Sequence, residues 1–155
     1  MEPSLSDIVV TPIAFVANER KEKADDHWGP IVSRIELVPE LPESCFDGIE
    51  SFSHLEIIFR FHLSERTVIG SEHPRDDKSL PLAGIFAQRK KDRPNHLGHT
   101  IVELIKHEGR VLHVARLDAI DGTPLVDIKP VFAEFLPQGE VRQPAWTKAV
   151  MRKYW

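Results

Sequence analysis

The sequence predicts a mainly β protein folded as a single barrel, and three observations carry that expectation. Leu55, Ile57, Phe59, Phe61 and Leu63 alternate with His54, Glu56, Ile58, Arg60 and His62, the period of two expected of a strand with one face in a core. Two further strand-like runs, Thr100 to His107 and Arg110 to Leu117, flank Glu108-Gly109, a plausible hairpin turn. Nowhere do strands alternate regularly with long helices, so a parallel doubly wound sheet does not fit, and a closed or partly closed β-barrel does.

The elements follow in order. Ile8 to Val16 is β-branched and apolar and reads as a first strand, with Pro12 marking an edge position or a bulge. An acidic loop from Asn18 to Gly29 leads to a second strand, Ile31 to Val38. Pro39 to Gly48, with two prolines, reads as loop or short helix, and the alternating strand Ser53 to Leu63 comes next. Residues 64–82 form a long polar excursion, placed to cover a site. The apolar run Gly84-Ile85-Phe86-Ala87 reads as strand and gives way to a basic cluster, Arg89 to Arg93, then to a Pro94-Asn95 turn and Gly98. After the hairpin, Asp118 to Pro130 reads as a turn-rich segment containing Asp121-Gly122 and Thr123-Pro124. We divide the chain into a barrel domain, residues 1–140, and a basic aromatic tail, residues 141–155, that ends as a short helix or extended arm.

Composition sets the class. At 155 residues, with 41% hydrophobic and 28% charged side chains, the chain is long enough for one soluble domain with a real core. No stretch approaches the roughly 18 apolar residues that span a bilayer. The first residues, with Glu2 and Asp7 and no basic run, do not read as a secretory signal. Cytoplasm is the expected location. The net charge of −4 is uneven: residues 1–83 carry 8 Lys and Arg against 16 Asp and Glu, and residues 84–155 carry 12 against 8. Arg142, Lys148, Arg152 and Lys153 lie in the tail without an acid among them. A nucleic-acid partner would therefore bind through a local patch, not through overall charge.

Several chemistries are disfavoured. His54 and His62 share a strand phase but lie roughly 26 Å apart at about 3.3 Å per residue, too far to share an ion. There is no HExxH and Cys45 is the only cysteine, so no metal is expected. Neither a GxSxG nucleophile turn nor a glycine-rich nucleotide loop is present. What remains is the strand end at His62, the basic turn at 89–93, and Asp118 and Asp121. Each alone also reads as ordinary surface. Together, at the ends of successive strands, they mark the rim where a barrel opens and a small ligand binds.

The ordered blocks Phe52-Ser53-His54, Phe59-Arg60-Phe61-His62, Gly84-Ile85-Phe86-Ala87-Gln88-Arg89, Arg93-Pro94-Asn95 with Gly98, and Leu117-Asp118-Ala119-Ile120-Asp121-Gly122-Thr123-Pro124-Leu125-Val126-Asp127-Ile128-Lys129-Pro130 resemble the TrmO-type (TsaA-like, YaeB-like) tRNA methyltransferases over roughly residues 8–132. The resemblance implies a non-Rossmann β-barrel that works as a homodimer and takes a methyl group from S-adenosyl-L-methionine. The acceptor it implies is N6 of threonylcarbamoyladenosine next to the tRNA anticodon. It implies cofactor contacts at His62, Leu63, Arg89, His99, Ala115, Arg116, Leu117 and Asp118. Asn95 and Asp121 are candidates for orienting the acceptor amine. In that setting Asp118 balances cationic charge and Arg89 holds the donor's carboxylate.

Two departures from the family pattern bear on the acceptor. The family's Pro-Arg-Gln loop falls here on His27, Trp28 and Gly29, which exchanges a positive charge for an aromatic surface able to stack on adenine or a base. The sequence also stops at Trp155, without the C-terminal domain that longer bacterial members use on tRNA. The tail, with Trp146, Tyr154 and Trp155, either takes part of that role or packs on the barrel or a dimer mate. Two alternatives stay open: a cofactor-binding module without methyl transfer, and a methyltransferase for a small-molecule acceptor, the latter suggested by the acidic first half.

Overall fold

Six strands close into an antiparallel barrel in the order β1-β2-β7-β6-β3-β8 in the computed structural model, which describes residues 6–155. Residues 1–5, Glu2 included, lie outside the described part. The strands are β1 (Ala14–Ala17), β2 (Val32–Leu37), β3 (His54–Arg60), β6 (Leu97–Glu108), β7 (Val111–Ala115) and β8 (Pro124–Pro130). A two-stranded ribbon, β4 (Ser71–Glu72) with β5 (Ala83–Gly84), lies in the excursion between β3 and β6. The only α-helix among the described residues is α1 (Ala145–Met151).

Alternation builds the barrel. In β2, Ser33, Ile35 and Leu37 are buried while Val32, Arg34 and Glu36 are exposed. In β3 the buried set is Leu55, Ile57 and Phe59. These side chains meet Val102, Leu112, Val114, Leu117 and Leu125 in one core. Each such fully buried aliphatic or aromatic side chain contributes about 1.5–3 kcal/mol through loss of contact with water. The hairpin β6–β7 turns at Gly109, whose φ of 57° suits glycine. Pairing of Ala14 with Leu125 joins β1 to β8 and closes the barrel.

Three expectations change. The first strand starts at Ala14, not Ile8: Ile8 and Val9 are 89% exposed, and no ladder forms ahead of Pro12, which has no N–H to donate. The run Gly84–Ala87 contributes one residue to β5 and then tightens into a 3-10 turn over Ile85–Ala87, which buries Ile85 and leaves Phe86 81% exposed. Asp118 to Pro130 is turn only in its first half. From Pro124 it is strand β8, paired with β3 on one side and β1 on the other.

The C-terminal part leaves the barrel and returns to it. Residues 132–145 are all exposed and α1 buries no residue. The chain then comes back to the loop between β1 and β2, where the His27 N–H donates to the Lys153 carbonyl (2.9 Å) and the Trp28 N–H to the Tyr154 carbonyl (2.7 Å).

Candidate functional site

The site lies at the rim where β3 and β7 end. β3 finishes at Arg60, and the chain turns so that Phe61, His62, Leu63 and Ser64 line a cleft together with Phe59. Its opposite wall comes from Asp118, Ala119, Ile120 and Thr123, and a third side from Lys23, Ala24, Asp25 and Trp28; Lys91 completes the lining. The enclosed part measures about 80 Å³, room for a few water molecules, and it opens to solvent.

Local backbone geometry sets the wall. Arg116 takes a left-handed φ of 63°, uncommon for a non-glycine residue. Its N–H donates to the Ile31 carbonyl (3.1 Å) and its guanidinium reaches Glu103 (3.2 Å). This turn off β7 buries Leu117 completely in the core and leaves the next residue, Asp118, on the cleft. Asn18 fixes the following loop: its side chain donates to Ser33 Oγ (2.9 Å) and to the Ala119 carbonyl (2.8 Å).

Asp118 is the best-held acid of the site. Thr100 Oγ1, reaching inward from β6, donates to Asp118 Oδ1, and the Tyr154 hydroxyl donates to Asp118 Oδ2. Burial, then the neighbouring Asp118 charge, pushes the Tyr154 phenol far above its ordinary value, and the positive charges of Arg89 and Arg75 oppose that shift. Tyr154 therefore stays protonated near pH 7 and donates to Asp118. His62, by contrast, is held below its ordinary value by burial, so its ring is neutral near pH 7.

The structure gathers His62, Leu63 and Asp118 around one cleft, with Trp28 beside them. Arg89 and His99 do not join the cleft lining: Arg89 is exposed and donates to the His99 carbonyl, and the exposed His99 side chain stands 3.6 Å from Glu56. Ala115 ends β7 opposite Val32. Leu117 has only its backbone to offer a ligand, since its side chain is 0% exposed.

The two candidates for orienting an acceptor do not join the cleft lining. Asn95 sits exposed on a turn with φ of 66°. Asp121 spends its carboxylate on the Asn18 N–H (3.0 Å) and Lys21 Nζ (2.7 Å), contacts that hold it well below the usual carboxylate range. It clamps the loop after β1.

The loop at 27–29 is largely covered. Trp28 is 3% exposed, with the Arg20 guanidinium 4.3 Å from its ring centroid, so it reaches the cleft only as a part of its wall. His27 has φ of 66° and, like Trp28, binds the returning tail through its backbone. A Cβ on Gly29 would stand 2.8 Å from the Trp155 carbonyl carbon, so the tail packs where only glycine leaves room. The aromatic tail thus packs on the barrel.

The excursion at 64–82 meets the site edge. Ser64 lines the cleft and donates to Asp92 (2.6 Å), and Arg75 grips Asp26 of the 18–29 loop through two nitrogens (2.8 and 3.2 Å). That contact lowers the Asp26 carboxyl. Among the described residues no three His, Cys, Asp or Glu side chains gather as a metal site, and no helix is long and apolar enough to cross a membrane.

Sequence reasoning missed Thr100, Tyr154 and the wall formed by Phe59 and Phe61. Thr100 carried a usable signal, a polar residue in the inward phase of Val102. Tyr154 carried none, because its partner lies 36 residues away.

Comparison with known proteins places the barrel in a family. Residues 24–135 match the family model for the tRNA-methyltransferase O N-terminal domain. The chain is 36% identical over 141 residues to a "Probable S-adenosyl-L-methionine-binding protein" of Pyrococcus abyssi, covering 87% of this chain and 74% of that protein. It is 35% identical over 103 residues to the human tRNA (adenine(37)-N6)-methyltransferase, covering 66% of this chain but only 23% of the human protein. A crystal structure of TrmO from Pseudomonas aeruginosa superposes with a TM-score of 0.75 at 28% identity, over 94% of this chain and 64% of that one. Matched by that model over most of its length, and built on the same barrel, the chain belongs to the tRNA-methyltransferase O family.

Proposed function

We propose that the protein is an S-adenosyl-L-methionine-dependent methyltransferase acting on tRNA, at N6 of the threonylcarbamoylated adenosine beside the anticodon. The observation that carries this reading is the convergence of His62, Leu63 and Asp118 on one cleft. The donor set suits the cofactor. A carboxylate serves its cationic groups, neutral His62 adds no repelling charge, and Phe59, Phe61 and Trp28 supply apolar wall. When bound, the cofactor supplies an activated methyl group on a sulfonium. Asp118, fixed by Thr100, anchors the cationic or hydroxyl end, and Arg89 at the rim pairs with the carboxylate. The methyl group would pass to an acceptor nitrogen held in line with it, and the proton that nitrogen gives up would go to solvent at the open mouth of the cleft. Placement of the two reactants supplies most of the rate.

Lys23 and Lys91 line the cleft and make no ion pair among the described residues, which supports approach of a polyanion from that side. Leu97, Ile101 and Ile105, exposed in a row on the outer face of β6, support a homodimer. A cytoplasmic location belongs to the same reading. The Pyrococcus abyssi relative, named as an S-adenosyl-L-methionine-binding protein, and the 27–29 loop occupied by the tail favour one second reading, a cofactor-binding module without transfer.

The test is incubation with methyl-labelled cofactor and bulk tRNA, followed by digestion to nucleosides. Label in a modified adenosine is the expected result. Saturable cofactor binding without transfer establishes the module, and label in a metabolite extract instead of tRNA establishes a small-molecule acceptor.

A further inference from the structure

Four contacts seat the last residues of the chain on the candidate site, and they come from separate segments. The Lys153 and Tyr154 carbonyls accept from consecutive amides of the 27–29 loop, the Trp155 backbone lies against Gly29, and the Tyr154 hydroxyl donates to Asp118. The stretch leading there contributes little, since residues 132–145 are exposed and α1 buries nothing. The arm is therefore held by the site itself. In return, Asp118 sits between two hydroxyl donors, Thr100 from the barrel and Tyr154 from the arm, each on its own carboxylate oxygen. Two such charge-assisted bonds fix the rotamer of a carboxylate while leaving lone pairs on both oxygens for a third partner.

We propose that this C-terminal arm is a supporting wall behind Asp118, outside the cleft lining itself, with Tyr154 as a positioning residue that holds the Asp118 carboxylate in the orientation the cofactor requires. The inference rests on the donor-site reading above. It differs from a picture in which the arm is a plug that the cofactor pushes out. A plug competes with the cofactor for Asp118, whereas a wall prepares Asp118 for it. Gly29 argues for the wall: the loop is shaped to admit the arm, and a single Cβ there would exclude it.

Tyr154→Phe keeps the ring and removes the hydroxyl. The expected result, read by calorimetry on the full chain, is cofactor binding weakened roughly tenfold, the loss typical of one charge-assisted bond. Turnover at saturating cofactor stays within about twofold, so that KM moves and kcat does not. Tyr154→Ala, followed by hydrogen exchange without cofactor, is expected to speed exchange at the His27 and Trp28 amides. Wild-type or tighter affinity in Tyr154→Phe, or unchanged exchange in Tyr154→Ala, overturns the proposal. Asp118→Asn separates the two levels. If neither Asp118→Asn nor Tyr154→Phe changes affinity, the donor-site reading falls. If Asp118→Asn alone weakens binding, only the role of the arm falls.

Discussion

Gly98 faces Phe59 directly across the β3–β6 pairing, and a Cβ at Gly98 would stand 2.6 Å from the Phe59 ring and 2.9 Å from that of Phe61. The two rings meet edge to face at 5.2 Å, and both line the cleft. Gly98→Ala therefore forces the aromatic pair to move, at a cost of about 1–3 kcal/mol, the usual penalty for overpacking. Chemical denaturation reads that loss. Cofactor binding is expected to weaken with it, because the displaced rings have the cleft to move into.

Asp118 and Arg89 are assigned to opposite charges of the cofactor, so their substitutions separate. Asp118→Asn keeps shape and loses charge, and is expected to weaken cofactor binding roughly 10- to 100-fold, the range for losing a hydrogen bond to a charged group. Arg89→Ala acts on the carboxylate end: it weakens binding of the intact cofactor but not of adenosine, which has no carboxylate. Equal loss for both ligands would remove Arg89 from that role.

Cofactor affinity is expected to depend on pH through His62. Burial holds this imidazole below its ordinary value near 6.5, so the folded protein takes up the proton only at lower pH than the unfolded chain does. Stability from the neutral ring is complete above 6.5 and is lost as pH falls through the folded value. A protonated His62 also adds a cation beside a cationic donor. Calorimetric titrations should show affinity falling below pH 6.5, and His62→Gln should flatten that fall.

His107, far along β6 from the cleft, has the opposite sign. Its ring pairs with Glu50 (3.1 Å) and with the Gly109 carbonyl (2.7 Å) and packs edge-on to Phe46; the Glu50 bond raises its pKa above the ordinary value. The stabilisation is present below about 6.5 and is lost as pH rises through the folded value. Glu50, lowered by its own backbone amide and by His107, gives its share above the usual carboxylate range and loses it in acid. Urea midpoints should thus favour the native protein over His107→Gln most strongly between these limits, with the gap narrowing above neutrality.

Strands with one wet face were legible in the sequence because burial alone sets their pattern. Val32–Leu37, His54–Arg60 and the β6–β7 hairpin show this. β8 was obscured because its first residues, Pro124 and Leu125, follow directly on the turn signals of Asp121-Gly122 and Thr123-Pro124. The apolar run at Gly84 misled for another reason: apolar residues also anchor short turns, and here Ile85 alone is buried. At the site, the rim positions His62 and Asp118 were marked by polarity at strand ends. The fate of Trp28 was not, since what covers it is an arginine in its own loop and a tail from the far end of the chain. Local pattern holds no record of such partners.

The span of chain that meets at Asp118 has a kinetic consequence. Ala14 must find Leu125 to shut the barrel, and the 27–29 loop must find Lys153 and Tyr154 near the other end of the chain. Contacts so distant in sequence form late, because the intervening loops must be closed first. A nascent or refolding chain would thus acquire the local β6–β7 hairpin before it acquires the closed barrel and the docked tail. Cofactor present during refolding has no early surface to recruit and cannot hasten the slow steps. It acts only afterwards, by drawing the finished molecule away from unfolding.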